Sequence, residues 1–358
     1  MKVAKVTIED FRHIKKLELD FTDSLRRVRD ITVIVGPNTS GKTSILDAIA
    51  AGIGLATGLA PLRPGFVLSP RTVVRRGAIR ARVTSIVRFS PDEIEATRRL
   101  SHLSDEGWVP DRERVEMIWT YPSKQHKLGR TQCSPSQSCK LPRGRATAAR
   151  LLSTGRPDLS WFRRVGGVFT FDQQRTGMGK TIRRDIWEII QGVHLDVADL
   201  SHSRYTTDPK TILLDLAIKS AFPSQRDDQP DQFSLIKEKY NQVCRPHELV
   251  DAIRGELGDL ALRFRRGEYE YGYDGLSSGE QMMLLFLIRM VTEHIHRSIV
   301  LIDELELHQH PIWQRKLLDL LPKIGVENQF IVTTHSPYLR DNVPREAIID
   351  LGELGDRE

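Results

Sequence analysis

Apolar and polar residues alternate along Val3–Ile8 and again along Ile14–Phe21, which predicts two strands joined by a short turn. Ile31–Val35 is an unbroken β-branched run, the pattern of a parallel strand buried on both faces. It runs through a glycine-containing loop into a helical pattern from Thr43 to about Gly58. Strands are predicted again at Ala81–Phe89 and Val115–Tyr121. Between them Ser90-Pro91-Asp92-Glu93 reads as a capping box with proline at the first helical position, and Gly107 as the stop. Residues 123–150, rich in Ser, Gln, Pro and basic side chains, read as an irregular loop.

Residues 178–275 are mostly helical in pattern and are interrupted by Pro209, Pro223, Pro230 and Pro246, so no sustained heptad and no long coiled-coil arm is expected. The last third predicts a helix from Glu280 to about Arg297, strand Ile299–Asp303, helix Pro311–Leu321, strand Gln329–Thr333 and strand Ala347–Leu351. That alternation implies parallel strands with right-handed crossovers. The expected division is a first lobe over 1–177, a helical lobe over 178–298, and a return to the first lobe over 299–358.

At 358 residues the chain can bury a sizeable core, and no apolar run reaches the roughly 18 residues of a membrane-spanning helix. Its N-terminus has a strand pattern and not that of a signal peptide. With only Cys133, Cys139 and Cys244, no disulfide framework is expected, and a reducing cytoplasm fits. The net charge of +6 is unevenly spread: residues 61–150 carry 18 Lys+Arg against 8 Asp+Glu. Met117–Pro157 contains no acidic residue but holds Lys124, Lys127, Arg130, Lys140, Arg143, Arg145, Arg150 and Arg156. Together with the arginines at 71, 75, 76, 80 and 82, this insert (about 61–157) reads either as a contact for a polyanion such as nucleic acid or as a solvated basic loop.

Gly36-Pro37-Asn38-Thr39-Ser40-Gly41-Lys42-Thr43 satisfies G-x-x-x-x-G-K-[ST] directly after a strand and before a helix. Small residues let successive backbone N–H groups curl around phosphates, and the helix N-terminus favours negative charge. Lys42 would reach the β- and γ-phosphates of ATP, Thr43 would hold Mg²⁺, and Ser44 completes the expected nucleotide-binding segment. Ile299-Val300-Leu301-Ile302-Asp303-Glu304 places two carboxylates at a strand end: Asp303 for Mg²⁺, Glu304 to orient and deprotonate the attacking water.

Leu276-Ser277-Ser278-Gly279-Glu280-Gln281 resembles the ABC ATPase signature in the LSxGE[QK] form of RecF-like and SMC-like ATPases. That resemblance implies an α/β P-loop NTPase of ABC type. Its core would be a mixed sheet, with an N-terminal antiparallel β-subdomain and a mainly helical lobe carrying the signature. It also implies that Ser277, with Ser278, Gly279 and Gln281, faces the γ-phosphate held by a second copy, so two ATPs would lie in a two-fold symmetric homodimer. Phe330-Ile-Val-Thr-Thr-His335-Ser-Pro is similar to the switch-histidine segment, with His335 sensing the γ-phosphate. Phe169-Thr-Phe-Asp-Gln173-Gln174-Arg175 resembles the Q-loop; either glutamine could ligate Mg²⁺, with Gln174 favoured. Val6–His13 resembles the RecF-like strand–turn–strand whose arginine, here Arg12, lies near the nucleotide. Asp303-Glu-Leu-Glu-Leu-His308-Gln-His310-Pro311 resembles the DEPELHLHP form, with Leu305 in place of its proline and Glu306 and His308 in the D-loop.

Other metal sites are weak: helical His294 and His296 do not share a face, and His126, Cys133 and Cys139 lack a fourth ligand at usual spacing. Transporter cassettes place the signature closer to the phosphate loop than Lys42 and Leu276 stand here. OLD-type nucleases append a Toprim domain after the switch histidine, and none is expected in the 23 residues beyond His335. The resemblance therefore narrows to Septu and retron-associated defence ATPases, which implies a separately encoded effector nuclease or toxin, a nucleic-acid partner and no membrane partner. The alternative is a RecF-like DNA-repair ATPase that clamps DNA.

Overall fold

The alternation in β1 (Lys2–Phe11) sends Val3, Val6 and Ile8 into the core, and a bulge between Val3 and Lys5 buries Ala4 as well. β1 pairs antiparallel with β2 (Ile14–Asp20) across a turn in which Arg12 takes a left-handed φ of 53°. β3 (Ile31–Val35) belongs to a different sheet. β4 (Ala81–Arg88), β5 (Arg114–Tyr121) and β6 (Arg130–Ser134) complete a five-stranded antiparallel sheet in the order β2-β1-β4-β5-β6.

The computed structural model describes residues 1–59, 66–123, 128–153, 158–172, 209–221, 231–254, 260–306 and 310–352. They fall into two units. The first comprises Met1–Asp172, His296–Glu306 and Val326–Glu358; the second comprises Gln173–Ile295 and Leu307–Gly325. The helix Pro311–Leu320 thus belongs to the second unit, whereas the sequence had assigned it to the nucleotide-binding lobe.

The core of the first unit lies beneath the antiparallel sheet and beside a five-stranded, all-parallel sheet. The latter has the order β13-β3-β12-β11-β7, with β7 at Val168–Phe171, β11 at Ile299–Ile302, β12 at Gln329–Thr334 and β13 at Ile348–Asp350. Every residue of β11 and β12 is buried, as strands covered on both faces require. The helix Lys42–Gly52 contacts strands of both sheets. It approaches β4 so closely that a Cβ on Gly52 would lie 2.8 Å from Cγ1 of Val83, which is why glycine closes the helix there.

The second unit holds the helices Pro209–Ala221, Gln232–Cys244, Ser278–Thr292 and Pro311–Leu320. Gln232–Cys244 packs against the other three and buries Ile236, Tyr240, Val243 and Cys244. The unit also contains an antiparallel meander, β8 (His247–Arg254), β9 (Leu260–Arg266) and β10 (Tyr269–Tyr271), in a stretch read as helical. Its Leu, Arg and Glu content favours helix, but Leu249, Leu262 and Phe264 alternate onto one buried face, and tertiary burial wins.

Five further expectations are corrected. Residues 123–150 are ordered where described: β6 is followed by a 3₁₀ segment Ser136–Arg143 and a helix Gly144–Ser153. Cys133 and Cys139, expected to be reduced, form a disulfide with Cα atoms 5.4 Å apart. The capping box at Ser90 is half formed. Ser90 accepts from the Glu93 N–H, but the Glu93 carboxylate turns inward to the Met1 amino group and the Gly166 N–H. The helix it opens ends at Leu103, short of Gly107. Finally, Arg145 is no surface cation: it is fully buried, its guanidinium 4.5 Å from the ring centre of Phe162 and 4.9 Å from that of Phe169.

Candidate functional site

Gly41 stands at the N-cap of the helix Lys42–Gly52 with φ 97° and no side-chain cap, so the first backbone N–H groups are left to an outside acceptor. A Cβ here would be both strained and 2.6 Å from Nε2 of His13, so the loop needs glycine on two counts. Lys42 Nζ donates to the carbonyls of Gly36 and Pro37, both at 2.9 Å, and lies 3.3 Å from Nδ1 of His335. Burial lowers its pKa, against the pull of Glu304, Asp303 and Glu306.

Thr43 Oγ1 donates to Asp303 at 3.0 and 3.2 Å, so the end of β11 meets the start of this helix. Asp303 is buried and also accepts from Thr333 Oγ1 at 2.7 Å. Glu304 follows in a left-handed conformation (φ 50°), its N–H donating to the same Thr333 hydroxyl at 2.9 Å. A positive φ of this kind in a non-glycine residue is strained, and it falls just beyond the end of β11. That carboxylate lies 3.5 Å from Nε2 of His335. Burial first, then repulsion from Asp303 and Glu306, raises its pKa, which makes it a stronger base than an ordinary glutamate. Glu306 accepts from the His335 N–H, tying the segment after Glu304 to the end of β12.

Arg12 reaches this helix as well. Its guanidinium pairs with Asp47 at 2.8 Å, approaches Ser44 Oγ at 3.4 Å and lies over the rings of Phe11 and Phe66. Asn38, Thr39 and Ser40 complete the loop, with Thr39 left-handed at φ 68°. Gln173, Gln174, Arg175, His308 and His126 lie outside the described residues. A cavity of about 10 Å³, room for one water or small ion, is lined by Thr43, Asp47, Asp172 and Asp303, next to where the Q-loop begins.

In the second unit Ser277 caps the helix Ser278–Thr292 in a full capping box with Glu280. Glu280 is 2% exposed and is surrounded by donors. Its Oε2 accepts from Ser277 N–H at 2.9 Å and Ser277 Oγ at 2.7 Å. Its Oε1 accepts from the Tyr240 and Tyr271 hydroxyls at 3.0 and 2.9 Å, with His247 Nδ1 at 3.0 Å. Burial alone would raise its pKa; the hydrogen bonds from Ser277, Tyr271 and Tyr240 outweigh that and hold it below the usual glutamate range. Gln281 Nε2 donates to Leu276 O at 3.2 Å, and Ser278 is exposed beside buried Gly279.

Comparison with known proteins agrees with this geometry. The model of an AAA ATPase domain matches residues 1–51, and that of an AAA domain, putative AbiEii toxin, Type IV TA system, matches residues 197–341. The probable ATPase of retron Ec83 from Escherichia coli is 23% identical, over 97% of this chain and 71% of that protein. Septu protein PtuA from Bacillus thuringiensis is 32% identical, over 29% of this chain and 28% of that protein. An SMC head bound to the C-winged helix domain of ScpA superposes with a TM-score of 0.55 at 16% identity, covering 98% of this chain and 94% of that one. These matches support an ATPase, similar to those of retrons and Septu.

The fold of this ATPase is that of an SMC head, a P-loop architecture of mixed α/β type. The expected site residues of the first unit, Arg12, Lys42, Thr43, Ser44, Asp303, Glu304 and His335, stand together there. The donor set of a Thr43 hydroxyl and an Asp303 carboxylate suits Mg²⁺, which takes few protein oxygens and completes its shell with substrate phosphate and water. No cluster of three His, Cys, Asp or Glu side chains suited to another metal occurs among the described residues. Sequence reasoning missed His13, Thr333 and the Tyr240–Tyr271–His247 cluster. The threonine pair that ends the buried strand β12 after Phe330–Val332 was the one available signal, for Thr333.

Proposed function

We propose that the ATPase works as a homodimer that shares two ATPs and is the ATP-controlled sensor and scaffold of an anti-phage defence complex. The observation that carries the catalytic reading is the Thr43–Asp303 contact beside a strained Glu304 of raised pKa. In this reading the N–H groups of the loop Gly36–Gly41 and the Lys42 ammonium bind the β- and γ-phosphates, and Arg12 supports the loop from Ser44 and Asp47. Thr43 and Asp303, with Gln174 or Gln173, would hold Mg²⁺, which would supply charge neutralisation on the phosphates. Glu304 takes a proton from the attacking water, and His335 holds the position of the γ-phosphate from the end of β12. Ser277, Ser278, Gly279 and Gln281 of a second copy close the site, so hydrolysis requires two chains.

The defence role rests on similarity to the retron Ec83 probable ATPase and to PtuA, and it implies a cytoplasmic chain with a separately encoded nuclease or toxin. No helix among the described residues is long and apolar enough to cross a membrane. The fold shared with SMC heads supports a DNA-clamping repair ATPase as the second reading. Phage challenge of cells carrying this gene with its neighbours decides between them. Protection that is lost on Glu304→Gln, with no change in sensitivity to DNA damage, is the expected result. Unchanged phage sensitivity with a repair defect would replace the first reading by the second.

A further inference from the structure

The outer face of the antiparallel sheet points away from the phosphate-loop helix, because Val83 and Ser85 of β4 face that helix while Arg82, Thr84, Ile86 and Arg88 alternate to the other side. Basic side chains on this face mostly have carboxylate partners: Lys5 with Asp20 at 3.0 Å, Lys16 with Glu18 at 3.1 Å and Arg82 with Glu9 at 3.9 Å. One corner breaks the rule. Arg88 and Arg114 are directly opposite each other across β4 and β5, a like-charge cross-strand pair that destabilises a sheet. Neither has an ion pair or side-chain hydrogen bond among the described residues, and the same holds for Arg26 in the turn that follows β2.

These three arginines converge on a cavity of about 370 Å³, with Ile86 and Ala4 among its apolar lining. Its size lies within the range of small-molecule sites. The sole carboxylate lining it, Asp20, is already engaged by Lys5, by the Thr22 hydroxyl at 2.6 Å and by the Thr22 N–H at 2.8 Å. Three guanidiniums without counter-charge around a concavity form an electropositive cleft matched to a multiply charged oxyanion, and their planar forks suit phosphate oxygens. We infer that this corner is a second phosphate-binding site, separate from the ATP site, that takes the clustered phosphate groups of a nucleic-acid strand or of a free oligophosphate. It does not depend on the proposed dimer or on hydrolysis.

The test uses the full chain with its ATP site saturated by a non-hydrolysable ATP analogue, at low salt. Two probes are titrated: a short, fluorescent, 5′-phosphorylated single strand, and tripolyphosphate followed by its effect on the melting temperature. The double variant Arg88→Gln/Arg114→Gln should bind at least tenfold more weakly, with a log–log salt slope smaller by about 1.4 for the single strand, about 0.7 for each lost phosphate contact. Its ligand-free melting temperature should be unchanged or higher, since a like-charge pair is removed. The single variant Arg26→Gln, in an exposed turn, should show the same trend if the double variant folds poorly. Loss confined to the strand identifies nucleic acid as the source of the phosphates; loss confined to tripolyphosphate identifies a free oligophosphate. No binding of either probe by the unaltered chain, or equal binding by the variants, overturns the site.

Discussion

At the start of the phosphate-loop helix Gly41 offers no side chain to the first backbone N–H groups, whereas at the start of the signature helix Ser277 and Glu280 satisfy each other in a capping box. The contrast extends to the acids nearby. Glu304 is strained, crowded by Asp303 and Glu306, and more basic than usual; Glu280 is buried among donors and less basic than usual. One helix start is prepared for a ligand that the chain does not itself provide, and the other is closed by its own residues. In the proposed dimer the Ser277 hydroxyl would donate to a γ-phosphate only by giving up its hydrogen bond to Glu280, so the signature side would carry a competitor for its own contact.

Five substitutions, one of them used only in a mixing test, probe this contrast, beginning with the largest effect. Glu304→Gln should retain ATP but lose turnover by about 10²-fold or more, the range for a missing base with a misplaced water. Near-normal turnover in single-turnover assays would remove Glu304 from its role. Ser277→Arg should leave ATP binding intact while abolishing ATP-dependent dimerisation and hydrolysis. Mixing it with Lys42→Ala protein should restore partial activity, because each mixed dimer keeps one site free of both changes. A verified heterodimer without activity would contradict a shared site.

Smaller effects belong to the closed side. Glu280→Ala leaves the Tyr240 hydroxyl and the Ser277 N–H without their acceptor, while the Tyr271 hydroxyl keeps His247 Nδ1 at 2.9 Å, and should cost about 1–3 kcal/mol for each buried group that water cannot reach. Urea unfolding measures this, and a wild-type midpoint would show that the cluster is not stabilising. Tyr240→Phe removes one donor and keeps the others, so a loss of about 1 kcal/mol is expected. Equal destabilisation by both variants would mean that Tyr240 alone, and not the Glu280 network, holds the helix start.

The parts of the site that could be read from the chain are those written by contiguous residues. Gly36–Thr43, Asp303-Glu304 and Leu276–Gln281 each carry their chemistry in a short run, the first after the β-branched-rich strand β3, the second after the apolar strand β11 and the third at the start of a helix. What escaped is chemistry assembled across the sequence. Thr333 serves Asp303 from a neighbouring strand, and Tyr240, His247 and Tyr271 meet Glu280 from two strands and a helix. Charge was misjudged for the same reason. Arg145 counted as a surface cation until Phe162 and Phe169 enclosed it, Arg150 pairs with Glu106, and Arg75 pairs with Asp10 at 2.7 Å. The β8–β10 meander was hidden because helix-forming residues are frequent in it, and among its described positions the buried large apolar side chains are Leu249, Leu262 and Phe264.

The order of strands in the parallel sheet has a consequence for the time at which the site comes into being. β3, which delivers the phosphate loop, is hydrogen-bonded on one side to β12 and on the other to β13, both made near the far end of the chain. During synthesis at roughly 5–20 residues per second, the first strands of the antiparallel sheet can pair while β3 still lacks both neighbours. Pairings of such long sequence separation form late and slowly. The loop Gly36–Gly41 therefore leaves the ribosome early but acquires its rigid mount last, and a nascent chain carries the motif for ATP well before it has a place to hold it.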